Sequence, residues 1–268
     1  MPRYFNYKTA LFIFFVSLIS YLVIVLGVIY KTDVLSNLTQ GSRYIRYILL
    51  ELLLIVPLWL YVKVNKKSLT RVFRMRKLDK LHFPLLLLIA FGMFFFFLGI
   101  EYISYVYKWC EPLVNNEMLV DYNWNLLILI PLSGIITPLV EEAVFRGFIF
   151  RVMLDRKYSK CLIIIVSSLL FASVHLNLLY FPRIFISGII LGYIAYFFHS
   201  IIPSVIIHSI FNMLALFEIN LPQLRELFIN NSKLPYLLLG IGLLMFVAGM
   251  LGVKKKVHIK HKRKEKGE

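Results

Sequence analysis

Runs of about twenty apolar residues, separated by short basic loops, recur along the whole sequence, and that is the length a helix needs to cross the hydrocarbon of a bilayer. They fall at Lys8–Tyr30, Ile45–Val64, Phe83–Tyr107, Leu126–Met153, Cys161–Tyr180, Ile184–His199, Pro203–Leu216 and Leu234–Val253. Composition agrees: 60% of the 268 residues are hydrophobic and 16% aromatic, and the mean hydropathy of +0.78 lies far above the range of soluble domains. The expected fold is all-α, a polytopic membrane helix bundle of about eight transmembrane helices. The sixth and seventh runs are short and meet at Ser200–Ile202 ahead of Pro203, so a tight helical hairpin inside the protein is the alternative to two full spans.

Charge orients these segments, because Lys and Arg in short loops mark the cytoplasmic face. Lys63–Lys80, Arg151–Lys160 and the stretch after Val253 are basic, whereas Lys108–Asn125 sets Glu111, Glu117 and Asp121 against one Lys. Both termini are thus expected in the cytoplasm of a multi-pass cell-membrane protein. The net charge of +16 also fits a polyanion binder, but cations flanking membrane spans explain it without nucleic acid. The first segment reads as a retained signal anchor. Residues 1–253 read as a single transmembrane domain, and 254–268 as a disordered basic tail. Cys110 and Cys161 fall on opposite faces and are not expected to pair.

Within apolar helices, ionisable residues are the informative ones, since a charge at membrane depth costs several kcal/mol unless it meets a partner or a wet cavity. They concentrate in Val140–Phe150 (VEEAVFRGFIF), in Phe171–His175 (FASVH) and in His208–Asn212 (HSIFN), with Glu51 and Glu101 as outliers. Glu142 and Arg146 are four apart and predict a buried intrahelical ion pair. Glu141 then faces elsewhere, toward a neighbouring helix or water. Thr137 and Pro138 either start a new helical segment just before Glu141, with Thr137 as its cap, or sit inside an ordinary spanning helix. His208 and Asn212 share a face. The remaining histidines, His82, His199, His258 and His261, read as hydrogen-bonded packing residues.

At 1.5 Å per residue, Glu141 and His175 lie about 20 Å from the inner ends of their helices, with His208 and Asn212 about 8 to 14 Å in. Either the seventh segment starts deeper or the fourth ends a turn away from Met153.

EEAVFR fits EExxxR, FASVH fits FxxxH and HSIFN fits HxxxN, in that order on successive predicted helices. Together they resemble the CPBP family, the CAAX proteases and bacteriocin-processing enzymes also called Abi, over about Leu126 to Leu216. The resemblance implies an intramembrane glutamic endopeptidase. Glu141 and His175 would activate water, His208 and Asn212 would hold the oxyanion, and Glu142 with Arg146 would shape the site. It further implies a membrane-associated peptide or protein as substrate, whether a prenylated CAAX tail, a bacteriocin or pheromone precursor or a membrane-anchored regulator, and no cofactor is expected.

Peptide hydrolysis asks for the same groups: a base for water, donors for the developing oxyanion and exclusion of bulk solvent. HExxH, GxSG and GxGD motifs are missing from the sequence; Pro131–Gly134 comes nearest to the serine motif but carries Pro where Gly is needed. Zinc could be held by Glu141, Glu142, His175 and His208, although Asn212 and Arg146 suit a metal shell poorly. A non-enzymatic immunity or regulatory protein and a proton-relay transporter are the competing classes. A relay has no need of the His208/Asn212 donors, and a binder has no need of Glu141.

Overall fold

The computed structural model describes residues 7–30, 40–106, 130–219 and 221–265. Among them the chain is helical throughout, with no strand. The acidic loop Lys108–Asn125, with Cys110, lies outside the described residues. Ten helices follow in order: α1 Tyr7–Tyr30, α2 Gln40–Val64, α3 Leu69–Val72, α4 Phe83–Val106, α5 spanning 137–155, α6 Lys160–Val174, α7 Phe181–Phe197, α8 Ile202–Ile219, α9 Pro222–Asn230 and α10 Leu234–Glu265. A 3₁₀ turn, Lys80–His82, leads into α4, and a π-helical turn occupies Leu132–Ile136.

Seven of these helices overlap expected spans closely. Two are apolar and long enough to cross a bilayer, Lys80–Ser104 and Leu234–Lys255, while Lys8–Ile24, Lys160–Val174, Phe181–Phe197 and Ile202–Glu218 are apolar but shorter. Three features differ from the sequence expectation. Helix α6 stops at Val174 instead of Tyr180, because His175 closes it and Leu176 turns into the left-handed region at φ 48°. An added amphipathic helix, α9, opens on Pro222, a residue suited to a helix's first turn. The tail read as disordered is helical to Glu265. Lys and Arg are good helix formers, and extending an existing helix needs no new nucleus.

Contacts divide the chain into two compact units, one of Met1–Lys77 with Thr137–Ser204 and one of Leu78–Ile136 with Val205–Glu268. The first gathers α1, α2, α5, α6 and α7. Its core is aromatic: Phe14 of α1 lies 6.5 Å from Phe145 and 6.2 Å from Phe148, and Phe145 lies 5.6 Å from Phe171. In α7, Gly188 and Gly192 let α6 come close, since a Cβ at Gly188 would sit 3.0 Å from the Ser168 Cβ.

The second unit is built on α4 against α10. Lipid tails offer little hydrophobic drive for helices to associate, so the pair depends on close backbone approach at small residues. A Cβ on Gly92 would meet the Phe246 backbone nitrogen at 2.5 Å, one on Gly99 the Pro235 oxygen at 2.7 Å, and one on Gly242 would collide with the Phe96 nitrogen. Gly92 and Gly99 are seven residues apart, as are Gly242 and Gly249, which sets each pair two turns along one face. Tyr102 closes this unit's core, packing 5.0 Å from Phe228 and donating its hydroxyl to Glu218 at 2.6 Å.

Gly242→Ala should therefore push α4 and α10 apart and lower the thermal midpoint in detergent, at a cost of about 1 to 3 kcal/mol. Gly240→Ala is the control. A Cβ there meets nothing within 4 Å, so its midpoint should be unchanged or slightly higher.

Candidate active site

Helix α5 changes geometry through the first motif: Thr137–Glu142 is α-helical, Ala143–Ile149 π-helical and Phe150–Asp155 α-helical again. Such π stretches are rare and concentrate at functional sites. Widening the turn disturbs the regular backbone ladder, and donors from elsewhere in the unit reach two of its carbonyls. Ser167 of α6 donates to the Phe145 oxygen at 2.9 Å, and Arg74 Nη1 to the Arg146 oxygen at 3.1 Å. Gly147 makes room for the second, because a Cβ there would stand 2.7 Å from the Phe73 oxygen and 2.9 Å from its Cα.

The expected ion pair forms inside this stretch. Arg146 Nη1 donates to Glu142 Oε1 at 2.8 Å, and both side chains are fully buried. Its Nη2 donates to the Gly188 oxygen at 3.2 Å, and the guanidinium lies 4.2 Å from the centre of the Phe171 ring. One cation thereby ties α5 to α6 and α7. An ion pair at this depth gains stability only when its remaining hydrogen-bonding groups are also placed, and the carbonyl and the ring face supply part of that.

Glu141, one residue earlier, turns toward α6. It is 7% exposed, and its Oε1 stands 3.7 Å from His175 Nε2. His175 is held at the end of α6, with Nδ1 2.8 Å from the Phe171 oxygen and its ring 4.9 Å from the Phe171 ring. A carbonyl oxygen has no proton to give, so Nδ1 carries an N–H, which turns Nε2 toward Glu141. The gap is too long for a direct hydrogen bond. The imidazole is 31% exposed, so water can reach the pair.

Glu51 of α2, an outlier in the sequence, is buried in the same unit and interacts electrostatically with Glu141. Helix α5 follows directly on the π turn at Leu132–Ile136. No motif at Glu51 signals this role; the only sign was a carboxylate in an apolar run.

His208 and Asn212 belong to the second unit. Both lie on α8, four residues apart, so the expected shared face is present; His208 is buried. Asn212 Nδ2 donates to the Ser133 oxygen in the π turn at 3.0 Å. Next to it, Met213 packs on Gly134, where a Cβ would come within 2.8 Å of the Met213 Cγ. Among the described residues, no group of three His, Cys, Asp or Glu side chains is arranged to hold a metal ion.

In the first unit a buried carboxylate, Glu141, thus faces the imidazole of His175 beside the enclosed Glu142–Arg146 ion pair. Residues 123–214 match the family described as Type II CAAX prenyl endopeptidase Rce1-like. The match covers 92 of the 268 residues and contains all three motifs, in agreement with the resemblance to the CPBP and CAAX proteases. At family level it supports a CAAX-type intramembrane endopeptidase acting on membrane-associated protein. No curated protein and no solved structure matches the chain.

Removing Glu142 leaves the Arg146 charge buried without its carboxylate. Glu142→Ala should cost about 3 to 5 kcal/mol and lower abundance in the membrane. Glu142→Ala with Arg146→Met should recover much of that loss in the same thermal-unfolding assay. A Glu142→Ala protein of normal stability but no activity would instead put Glu142 in the chemistry.

Proposed function

We propose that the chain is a glutamic-type intramembrane endopeptidase in which Glu141 and His175 jointly activate one water molecule. The 3.7 Å approach of Glu141 Oε1 to His175 Nε2 carries this reading, with Nε2 taken as the acceptor nitrogen of the ring. Two acceptors that close can hold both hydrogens of one water and leave its oxygen lone pair directed at a scissile carbonyl. In the attack, Glu141 takes one proton as the C–O bond forms, and the carbonyl oxygen becomes an oxyanion. That proton then passes to the leaving nitrogen as the C–N bond breaks.

His208 and Asn212 are the proposed oxyanion donors. A carboxamide carries two N–H groups; Ser133 engages one of them, which orients the amide and leaves the other for the developing charge. One such donor contributes about 10² to 10³ in rate. The reading needs no metal. Substrates reach the site from or within the bilayer, either CAAX-type tails or bacteriocin or pheromone precursors, in a multi-pass protein with both termini cytoplasmic.

Glu141→Ala and His175→Ala should each reduce cleavage of a prenylated CAAX peptide by about 10² to 10⁴ while leaving insertion and abundance normal. Activity should persist in excess chelator. Full cleavage by both variants would favour the competing class, a regulatory or immunity protein whose polar cluster only packs. Chelator-sensitive cleavage would favour zinc.

A further inference from the structure

A polar concavity lies in the first unit, and neither Glu141 nor His175 lines it. It encloses about 350 Å³ and is lined by Arg71, Arg74, Arg76 and Arg151, together with Ser68, Thr70 and His199. Ten residues of α5 separate Glu141 from Arg151, at most about 15 Å along the axis. The lining comes from just beyond the ends of α2 and α7 and from the last turns of α5, which is the basic end of this unit.

The cations here are not balanced by nearby carboxylates. Arg151 Nε pairs with Asp155 at 2.9 Å, but among the described residues Arg71, Arg74 and Arg76 have no carboxylate within ion-pair distance. Arg74 is 6% exposed and serves the fold: its guanidinium donates to the Arg146 and Ala195 oxygens and lies 5.2 Å from the Phe150 ring. Burial, and then the charges of Arg76 and Arg151, lower its pKa to about 10, so it stays a cation at neutral pH.

The wall is also held rigidly. Arg76 N–H donates to Ser200 Oγ at 3.2 Å, Ser200 Oγ donates to the Arg76 oxygen at 2.8 Å, and Ile201 N–H donates to the Arg74 oxygen at 3.1 Å. Arg74 and His199 both adopt left-handed backbone, at φ 56° and 50°, a conformation costly for side chains with a Cβ and kept only where the surroundings impose it. Opposite, Ser68 and Thr70 stand with their hydroxyls 2.9 Å apart. Guanidinium forks beside a hydroxyl pair supply positive charge and several donors at once, which a multiply charged oxyanion such as phosphate can engage together.

We propose that this cavity is a phosphate-binding site in which Arg71, Arg76 and Arg151 contact the anion, Ser68 and Thr70 add hydroxyl donors, and Arg74 fixes the floor. Two sources share that chemistry: the headgroup of an anionic phospholipid and a soluble phosphate. The site is independent of the peptidase reading, because it uses none of its groups.

The test is the thermal midpoint of the full chain in phosphatidylcholine nanodiscs, with and without phosphatidylglycerol, and separately with inorganic phosphate added. An anion that binds only the folded protein raises the midpoint. Arg71→Gln with Arg76→Gln should shift the half-saturating anion concentration upward about tenfold. Both residues make their hydrogen bonds through the backbone, so the fold is retained. Arg151→Gln, which gives up only an exposed ion pair, is the second variant and should act in the same direction.

A rise with phosphatidylglycerol alone assigns a lipid headgroup, and a rise with inorganic phosphate as well assigns a soluble ligand. The proposal is overturned if the wild-type protein responds to neither. It is equally overturned if Lys77→Ala with Lys80→Ala, outside the cavity, weakens the response as much as the arginine variants do.

Discussion

The buried pair of Glu142 with Arg146 is the contact on which the rest of the first unit depends. Both groups are fully enclosed and 2.8 Å apart, and neither charge could be kept there alone. Because Arg146 also reaches the Gly188 oxygen and the Phe171 ring, the pair fixes α5 against α6 and α7 together. Its placement decides where Glu141 points. Adjacent positions on a helix face different ways, so anchoring Glu142 inward on its own cation turns Glu141 to the end of α6, where His175 waits.

The π-helical stretch makes this arrangement possible and calls for support from neighbouring elements. Ser167 and Arg74 reach two of its carbonyls, and Gly147 admits the chain at Phe73. The proposed peptidase site and the arginine-lined cavity therefore share one structural element, with Glu141 before the widened turn and Arg151 after it. Arg74 links the two: its side chain braces the turn and its backbone borders the cavity. Function and fold are coupled here through backbone carbonyls more than through side-chain packing.

Much of this was legible in the sequence, and the part that was not has physical reasons. Hydrophobic runs located the helices, since span length is fixed by the bilayer, and the i,i+4 spacing of Glu142 and Arg146 gave their pair directly. The meeting of Glu141 with His175 came from the company of polar residues in apolar segments and from the family resemblance. Nothing in Ala143–Ile149 marks a π helix, because the composition of such a turn is that of any spanning helix. Arg74 was hidden for a related reason: in a basic loop a buried structural arginine looks like one more positive-inside cation. Glu51 stood out as a carboxylate in an apolar run, but only the fold, which sets it near the charge of Glu141, gives it a place. The helical tail escaped notice because charge runs are read by composition, whereas a helix already formed extends cheaply.

The central claim is that Glu141 and His175 act as one unit on one water, and a double-mutant cycle on peptide cleavage tests it most directly. Groups that work as a unit are strongly non-additive. The account predicts that Glu141→Gln combined with His175→Gln cleaves no more slowly than the worse of the two single variants. Losses that multiply, so that the double variant falls by the product of the single effects, would contradict it.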